Sequence, residues 1–134
     1  MPPFLAEIEN NQAIIKAAVG RPGSLNNMQG YDALLDTGAQ STLVSQKVVD
    51  ELGFIPIGSD SIRTVEGNIV TTKKYHINVG ILVQFGSNDI VGTGFTINVA
   101  SLPFQPANFD VLLGMDLISR FHMTFWGNRI IISN

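Results

Sequence analysis

The sequence predicts a single all-β domain carrying one or two short helices, over residues 1–134. Short apolar or alternating runs rich in Val, Ile, Phe and Thr recur along the chain, with Gly, Pro or Asn between them, which is the pattern of strands and turns. Helical spacing is convincing in only one place. The length of 134 residues suits one domain of ordinary size, long enough to bury a core and short for two.

In chain order, strands are expected near 4–9, 12–19, 30–36, 61–66, 69–83, 90–99, 109–113, 121–126 and 129–133. Residues 20–30, from Gly20-Arg21-Pro22-Gly23 to Gly30, hold enough turn formers to make an exposed loop. The helix falls at 45–52, where Ser45 can cap, Val48, Val49 and Leu52 share a face, and Gly53 ends the turn. A second, shorter helix is expected at 115–119. Residues 61–72 read as two strands around a Glu66-Gly67-Asn68 turn. Segment 84–108, with Gly86, Gly92, Gly94, Pro103 and Pro106, reads as a long stretch around the strand expected at 90–99. Phe125 and Trp126 read as core residues ahead of a hairpin turn at Gly127-Asn128.

Composition narrows the function. Hydrophobic residues make up 45% and charged residues 14%, too apolar for disorder and poor in the charge that keeps monomers apart. An oligomer interface is one account of that surface. The net charge of −3, with eight scattered Lys and Arg, offers no basic stripe, so no nucleic-acid partner is expected. The chain has no Cys, hence no disulfide, thiol nucleophile or thiolate metal site. Met1-Pro2-Pro3 leads into a segment with Glu7 and Glu9 that lacks the basic start and apolar stretch of a signal peptide, and no apolar run is long enough for a membrane helix. A cytoplasmic protein with no membrane partner is expected.

The chemistry centres on Ala33-Leu34-Leu35-Asp36-Thr37-Gly38-Ala39. A run as apolar as Ala33-Leu34-Leu35 makes a buried strand, and Asp36 then emerges at its end with little bulk water around it. A carboxylate so placed needs donors, a partner or a proton. Thr37 can donate and accept buried hydrogen bonds, and Gly38 lets another backbone approach closely. Taken alone, Asp-Thr-Gly reads first as a plain turn. Its context says more, because Phe109-Asp110-Val111-Leu112-Leu113-Gly114-Met115-Asp116 follows later and echoes the apolar pair that precedes Asp36.

Together the two motifs resemble the retropepsin family, the retroviral-type aspartic peptidases and their cellular and bacterial relatives, over roughly residues 12–133. The resemblance implies a retropepsin-like acid-protease β-barrel working as a C2 homodimer. It implies that Asp36 is the catalytic acid and base, that Thr37 bonds across the dimer axis, that Gly38 offers its backbone to substrate, and that Ala39 supports the site. Leu112, Leu113 and Gly114 become the floor. The hairpin tip Glu66, Gly67 and Asn68 becomes a flap over an extended peptide or protein substrate, although its residues read equally well as an ordinary surface hairpin. Terminal strands 4–8 and 129–133 serve in such enzymes as an intersubunit sheet, and here they read equally as exposed edges. One chain has one Asp-Thr-Gly, so a second copy must supply the other carboxylate. Asp32 cannot, since four strand residues carry it about 13 Å away at ~3.3 Å per residue, and it is read as solvated.

Some positions depart from the family pattern. Viral enzymes carry an acidic residue where this chain has Gln40 and an Arg where it has Met115, so both halves of that ion pair are missing. Asp116 remains as a helix N-terminal carboxylate or an internal acceptor. Ala39 replaces the Ser common in pepsin-like enzymes, which implies a working pH nearer neutral. No metal and no cofactor are expected: His76 and His122 stand apart without carboxylates at ligand spacing, and Gly92-Thr93-Gly94 lacks the rest of a dinucleotide fingerprint. Ser41 and Ser45 have no His nearby to activate them. The competing function is a catalytically inactive dimerisation or peptide-binding module on the same fold. Retention of Asp36, Thr37 and Gly38 together favours the enzyme.

Overall fold

A computed structural model describes residues 4–23, 27–64, 66–85 and 88–133. Its strands are β1 (Phe4–Glu9), β2 (Gln12–Gly20), β3 (Gln29–Leu35), β4 (Leu43–Val44), β5 (Gly58–Arg63), β6 (Ile69–Phe85), β7 (Asn88–Ser101), β8 (Val111–Leu113), β9 (His122–Trp126) and β10 (Arg129–Ser133), with helices α1 (Gln46–Leu52) and α2 (Met115–Ile118).

Turn chemistry fixes the first hairpin. Asn10 and Asn11 have φ of 52° and 60°, the two left-handed positions of a type I′ turn, and short polar Asn tolerates them. The turn joins β1 to β2 with Glu9 opposite Gln12. β2 then pairs on one edge with β3 and on the other with β6, which closes the ring β6-β7-β4-β8-β3-β2 into a six-stranded barrel. Inside it Ala17, Ala33, Val44, Ile77, Val79 and Val111 are buried to 1% exposure or less. Small Ala side chains at Ala17 and Ala33 let strands pack closely where β-branched partners fill the space.

Two additions extend the barrel. β5 pairs with the start of β6, Gly58 opposite Lys74 through Arg63 opposite Ile69. From β2 the sheet continues through β1 and β10 to β9. The β9–β10 turn has Gly127 at φ 58° followed by Asn128 at negative φ, the glycine-first pattern of a type II′ turn. Helix α1 is capped as its sequence implies, Ser45 Oγ accepting from Val48 N–H and Gly53 adopting φ 66° past the last turn. No helix among the described residues is long and apolar enough to cross a membrane.

Several expectations need correction. The terminal strands have no free facing edges, because β1 and β10 pair with each other inside one chain, Phe4 opposite Ile132 through Glu7 opposite Arg129. Phe125 and Trp126 are not core residues: they are 55% and 72% exposed, because β9 is the last strand of the order and none of the described residues adds a strand beyond it. β6 and β7 run past the expected 69–83 and 90–99, to Phe85 and from Asn88 to Ser101, and form one long hairpin with a register shift between Gly80 and Leu82. β5 begins at Gly58 rather than 61 and ends before the tip. Within the expected loop 20–30, Gly20 and Gln29-Gly30 belong to strands, and Ser24, Leu25 and Asn26 lie outside the described residues. Val65, Gly86 and Ser87 also lie outside them.

Candidate active site

Asp36 leaves the end of β3 at the point where three strands meet. β8 lies between β3 and β4, parallel to the first and antiparallel to the second, with Leu35 opposite Leu113 and Leu43 opposite Leu112. The chain must therefore cross the end of β8 between Leu35 and Leu43, and residues 36–42 are that crossing. The ladder runs one step past the strand, Asp36 N–H donating to Leu113 O at 3.0 Å. Asp36 is half-buried, Thr37 and Gly38 are exposed, and Ala39 is partly covered.

The turn is held from within and from outside. Gly38 N–H donates to Asp36 Oδ1 at 3.0 Å, and Ala39 N–H donates to Asp36 O at 3.2 Å. The carboxylate is thus oriented by a backbone amide. On the far side, Met115 N–H donates to Ala39 O at 2.8 Å and Asp116 N–H to Gln40 O at 3.1 Å. Thr42 completes the clamp: its hydroxyl donates to Asp116 Oδ1 at 2.7 Å and accepts from Gly114 N–H at 3.2 Å, while its own N–H donates to Asp116 Oδ2 at 3.0 Å. The Thr42 side chain is fully buried, and the two bonds that Thr42 makes to the partly buried Asp116 carboxylate are charge-assisted. Gly114 is required by contact, since a Cβ there would stand 2.5 Å from Ser41 C and 2.6 Å from Ser41 O.

The structure therefore brings Asp36, Thr37, Gly38 and Ala39 together with Leu113 and Gly114, while Leu112 pairs with Leu43 one step away. Glu66, Gly67 and Asn68 form the exposed tip of the β5–β6 hairpin, closed by Thr64 N–H to Asn68 O at 2.8 Å and Gly67 N–H to Thr64 O at 2.9 Å, with Gly67 at φ 87°. That tip is a separate element bonded within itself. Thr42 is the positioning residue that sequence reasoning missed, and the hydroxyl pair Ser41-Thr42 ahead of the apolar pair Leu43-Val44 was its one visible signal. Asp116 resolves as both an internal acceptor and the first-turn acid of α2.

A second polar cluster anchors α1 to the barrel. Asp110 accepts from Ser45 Oγ at 2.9 Å and from Gln105 Nε2 at 3.1 Å, and Lys47 Nζ lies 3.7 Å away. Tyr31 donates to Glu51 Oε2 at 2.7 Å; burial, then that bond and the Glu51 and Asp110 charges, push its phenol well above the ordinary tyrosine range. Asp32 pairs with Lys16 at 2.6 Å, both about half exposed, which suits a surface role. His76 Nδ1 faces Asn98 Oδ1 at 2.7 Å. No group of three or more His, Asp or Glu among the described residues converges as a metal site would require.

Beside Thr37 lies an open cleft of about 390 Å³, lined by Ile8, Asn11, Ala13, Leu35, Thr37 and Phe125.

A closed six-stranded barrel with an Asp-Thr-Gly turn laid across its central strand defines an aspartic protease architecture of the retropepsin-like kind. Residues 21–117 match the family described as Aspartyl protease, and the chain belongs to that family. Among solved structures, the chain is similar to a retropepsin-like aspartic protease from Rickettsia conorii, at 20% identity and a TM-score of 0.66, covering 98% of this chain and 90% of that one. It is also similar to a foamy viral protease-reverse transcriptase solved with an RNA/DNA hybrid, at 19% identity and a TM-score of 0.53, covering 85% of this chain and 13% of that one. These likenesses establish the fold. No curated protein matches the sequence.

Proposed function

We propose that the protein is an aspartic endopeptidase whose active site is completed by a second copy of the same chain. The observation that carries this reading is the placement of Asp36: a half-buried carboxylate at a strand end, oriented by Gly38 N–H, in a turn clamped by Thr42 and Asp116. A surface turn needs no such support.

Two Asp36 carboxylates facing each other across a two-fold axis cannot both ionise at ordinary cost, so the pair holds one proton between them. The ionised member takes a proton from a water lying between the pair and the scissile carbonyl. The protonated member donates to the carbonyl oxygen as the water attacks, giving a tetrahedral diol. Collapse of the diol returns a proton to the leaving amine and frees both peptide products. Thr37 braces the pair across the axis, exposed Gly38 presents its backbone to an extended peptide, and the Glu66-Gly67-Asn68 tip closes over it.

The test is cleavage of a mixed peptide library by the wild type and by Asp36→Asn, from acidic to neutral pH and at several protein concentrations. The reading expects wild-type cleavage that rises faster than linearly with concentration, and none from Asp36→Asn. Equal cleavage by both proteins overturns it. Silence from a wild type that sediments as a dimer turns it into the binding-module reading.

A further inference from the structure

The proposed site needs a second carboxylate, so a two-fold axis has to pass beside Asp36 and Thr37, and one face of the molecule must meet its own copy there. The topology narrows which face. The sheet order ends at β5 on one side and at β9 on the other. β5 belongs to the hairpin that carries Glu66, Gly67 and Asn68. β9 runs past the catalytic turn, with Phe125 lining the cleft that Leu35 and Thr37 share, and Met123 packed near Leu35 under it. The terminal strands β1 and β10 are already paired with each other.

The backbone of β9 is prepared for such a contact. With Trp126 opposite Arg129 around a two-residue turn, that flanking pair exchanges both hydrogen bonds. Alternation makes Thr124 with Ile131 and His122 with Ser133 the other bonded pairs. The N–H and C=O groups of Met123 and Phe125 therefore point away from β10, along the outer edge. Phe125 carries a second sign. It stands opposite Ile130, which is fully buried, so it belongs to the inner face of the sheet, yet it is 55% exposed. An inward-facing aromatic left that open is missing a neighbour.

We infer that a second copy of this chain docks along β9, the two β9 strands pairing antiparallel about a two-fold axis at Thr124. Met123 of each copy then faces Phe125 of the other, their outward N–H and C=O groups forming four hydrogen bonds, and the two Phe125 rings cover the apolar clefts beside Thr37. Strand edges related by a two-fold axis are self-complementary in this way, and pairing removes an edge that would otherwise recruit other strands. The inference rests on the paired-carboxylate reading for its axis, and its register is read from β9 itself.

The chain has no Cys, so Thr124→Cys introduces a single thiol. Two such thiols on the axis, in a pair not bonded to each other, have Cα atoms about 4.5 Å apart, within the ~4.4–6.8 Å that a disulfide spans. Mild oxidation with diamide is expected to give a covalent dimer of Thr124→Cys that still cleaves peptide, and none from Ser59→Cys on the β5 edge. In the wild type, the amides of Met123 and Phe125 are expected to exchange at least tenfold more slowly as protein concentration rises through the dimer range. This second measurement needs no variant to fold. A wild type that dimerises and cleaves while Thr124→Cys stays uncrosslinked and those amides stay fast overturns the β9 contact and leaves the peptidase reading standing. A dimer crosslinked through Thr124 with no cleavage by the wild type supports the contact and overturns the peptidase reading. A chain monomeric at every concentration overturns both.

Discussion

Thr42→Val tests the clamp that fixes the Asp36 turn. The substitution keeps the volume and branching of the side chain and removes only its hydroxyl, so no cavity opens. Two bonds disappear: the 2.7 Å donation to Asp116 Oδ1 and the 3.2 Å acceptance from Gly114 N–H. The first is charge-assisted and worth about 1.5–3 kcal/mol; the second leaves a buried donor unsatisfied, at about 1–3 kcal/mol. Asp116 keeps its bond from Thr42 N–H, which moderates the sum, so a loss of about 3 kcal/mol is expected. With an unfolding entropy of about 2.1 cal/mol/K per residue, that corresponds to a fall in Tm of about 10 °C for a chain of this length. Thermal unfolding followed by circular dichroism, at one fixed protein concentration so that association does not confound the comparison, measures it. Thr42→Ser keeps the hydroxyl and should lose about 1 kcal/mol for its methyl group. A Thr42→Val protein within about 1 kcal/mol of the wild type would refute the reasoning, because the bonds could not then be holding the turn.

Three further predictions follow from the same geometry. Gly114→Ala drives a Cβ into the Ser41 backbone, where no flexible side chain can give way, and should cost at least ~2 kcal/mol by urea midpoint; near-neutrality would mean the two loops are not in contact. Tyr31 and Tyr75 are both raised by burial, then respectively by the Glu51 bond and the Asp50 charge, so their stabilisation is complete below the ordinary tyrosine pKa of about 10 and is lost as pH rises through the higher folded values. Stability should therefore decline above about pH 10 and decline less steeply in Tyr31→Phe, and an unchanged slope would sever the link to Tyr31. Ala39→Ser adds a hydroxyl donor beside Asp36 and should move the pH–rate profile of peptide cleavage to more acidic values; an unmoved or more alkaline profile contradicts it.

What the sequence disclosed and what it hid divide along a physical line. Local chemistry was legible: Ser45 and Gly53 bound α1, Gly127 turns the last hairpin, and Ala33-Leu34-Leu35 is a strand leading to Asp36, with Ala33 buried and the two Leu partly so. Each depends on residues a few positions apart. Partners distant in the chain were not legible. The bond from Thr42 to Asp116 spans 74 positions, and the two-residue strand β4 exists only because β7 and β8 flank it. Phe125 and Trp126 misled for a related reason: an aromatic pair before a turn looks like core, and only the strand order shows that β9 is the last strand among the described residues. The terminal strands were found, but their mutual pairing within one chain depends on a register that alternation alone does not fix.

One strand has a mechanical consequence for the β5–β6 hairpin. β6 runs unbroken for 17 residues from Ile69 to Phe85, serving first as a wall of the β5–β6 hairpin, then as a stave of the barrel opposite β2, and then as one side of the long hairpin with β7. The hairpin bearing Glu66, Gly67 and Asn68 thus shares its backbone with the barrel and has no loop on its β6 side to act as a joint. Its movement is the flexing of a spring rooted in the barrel ladder, so the stiffness of that hairpin and the stability of the core are properties of the same strand.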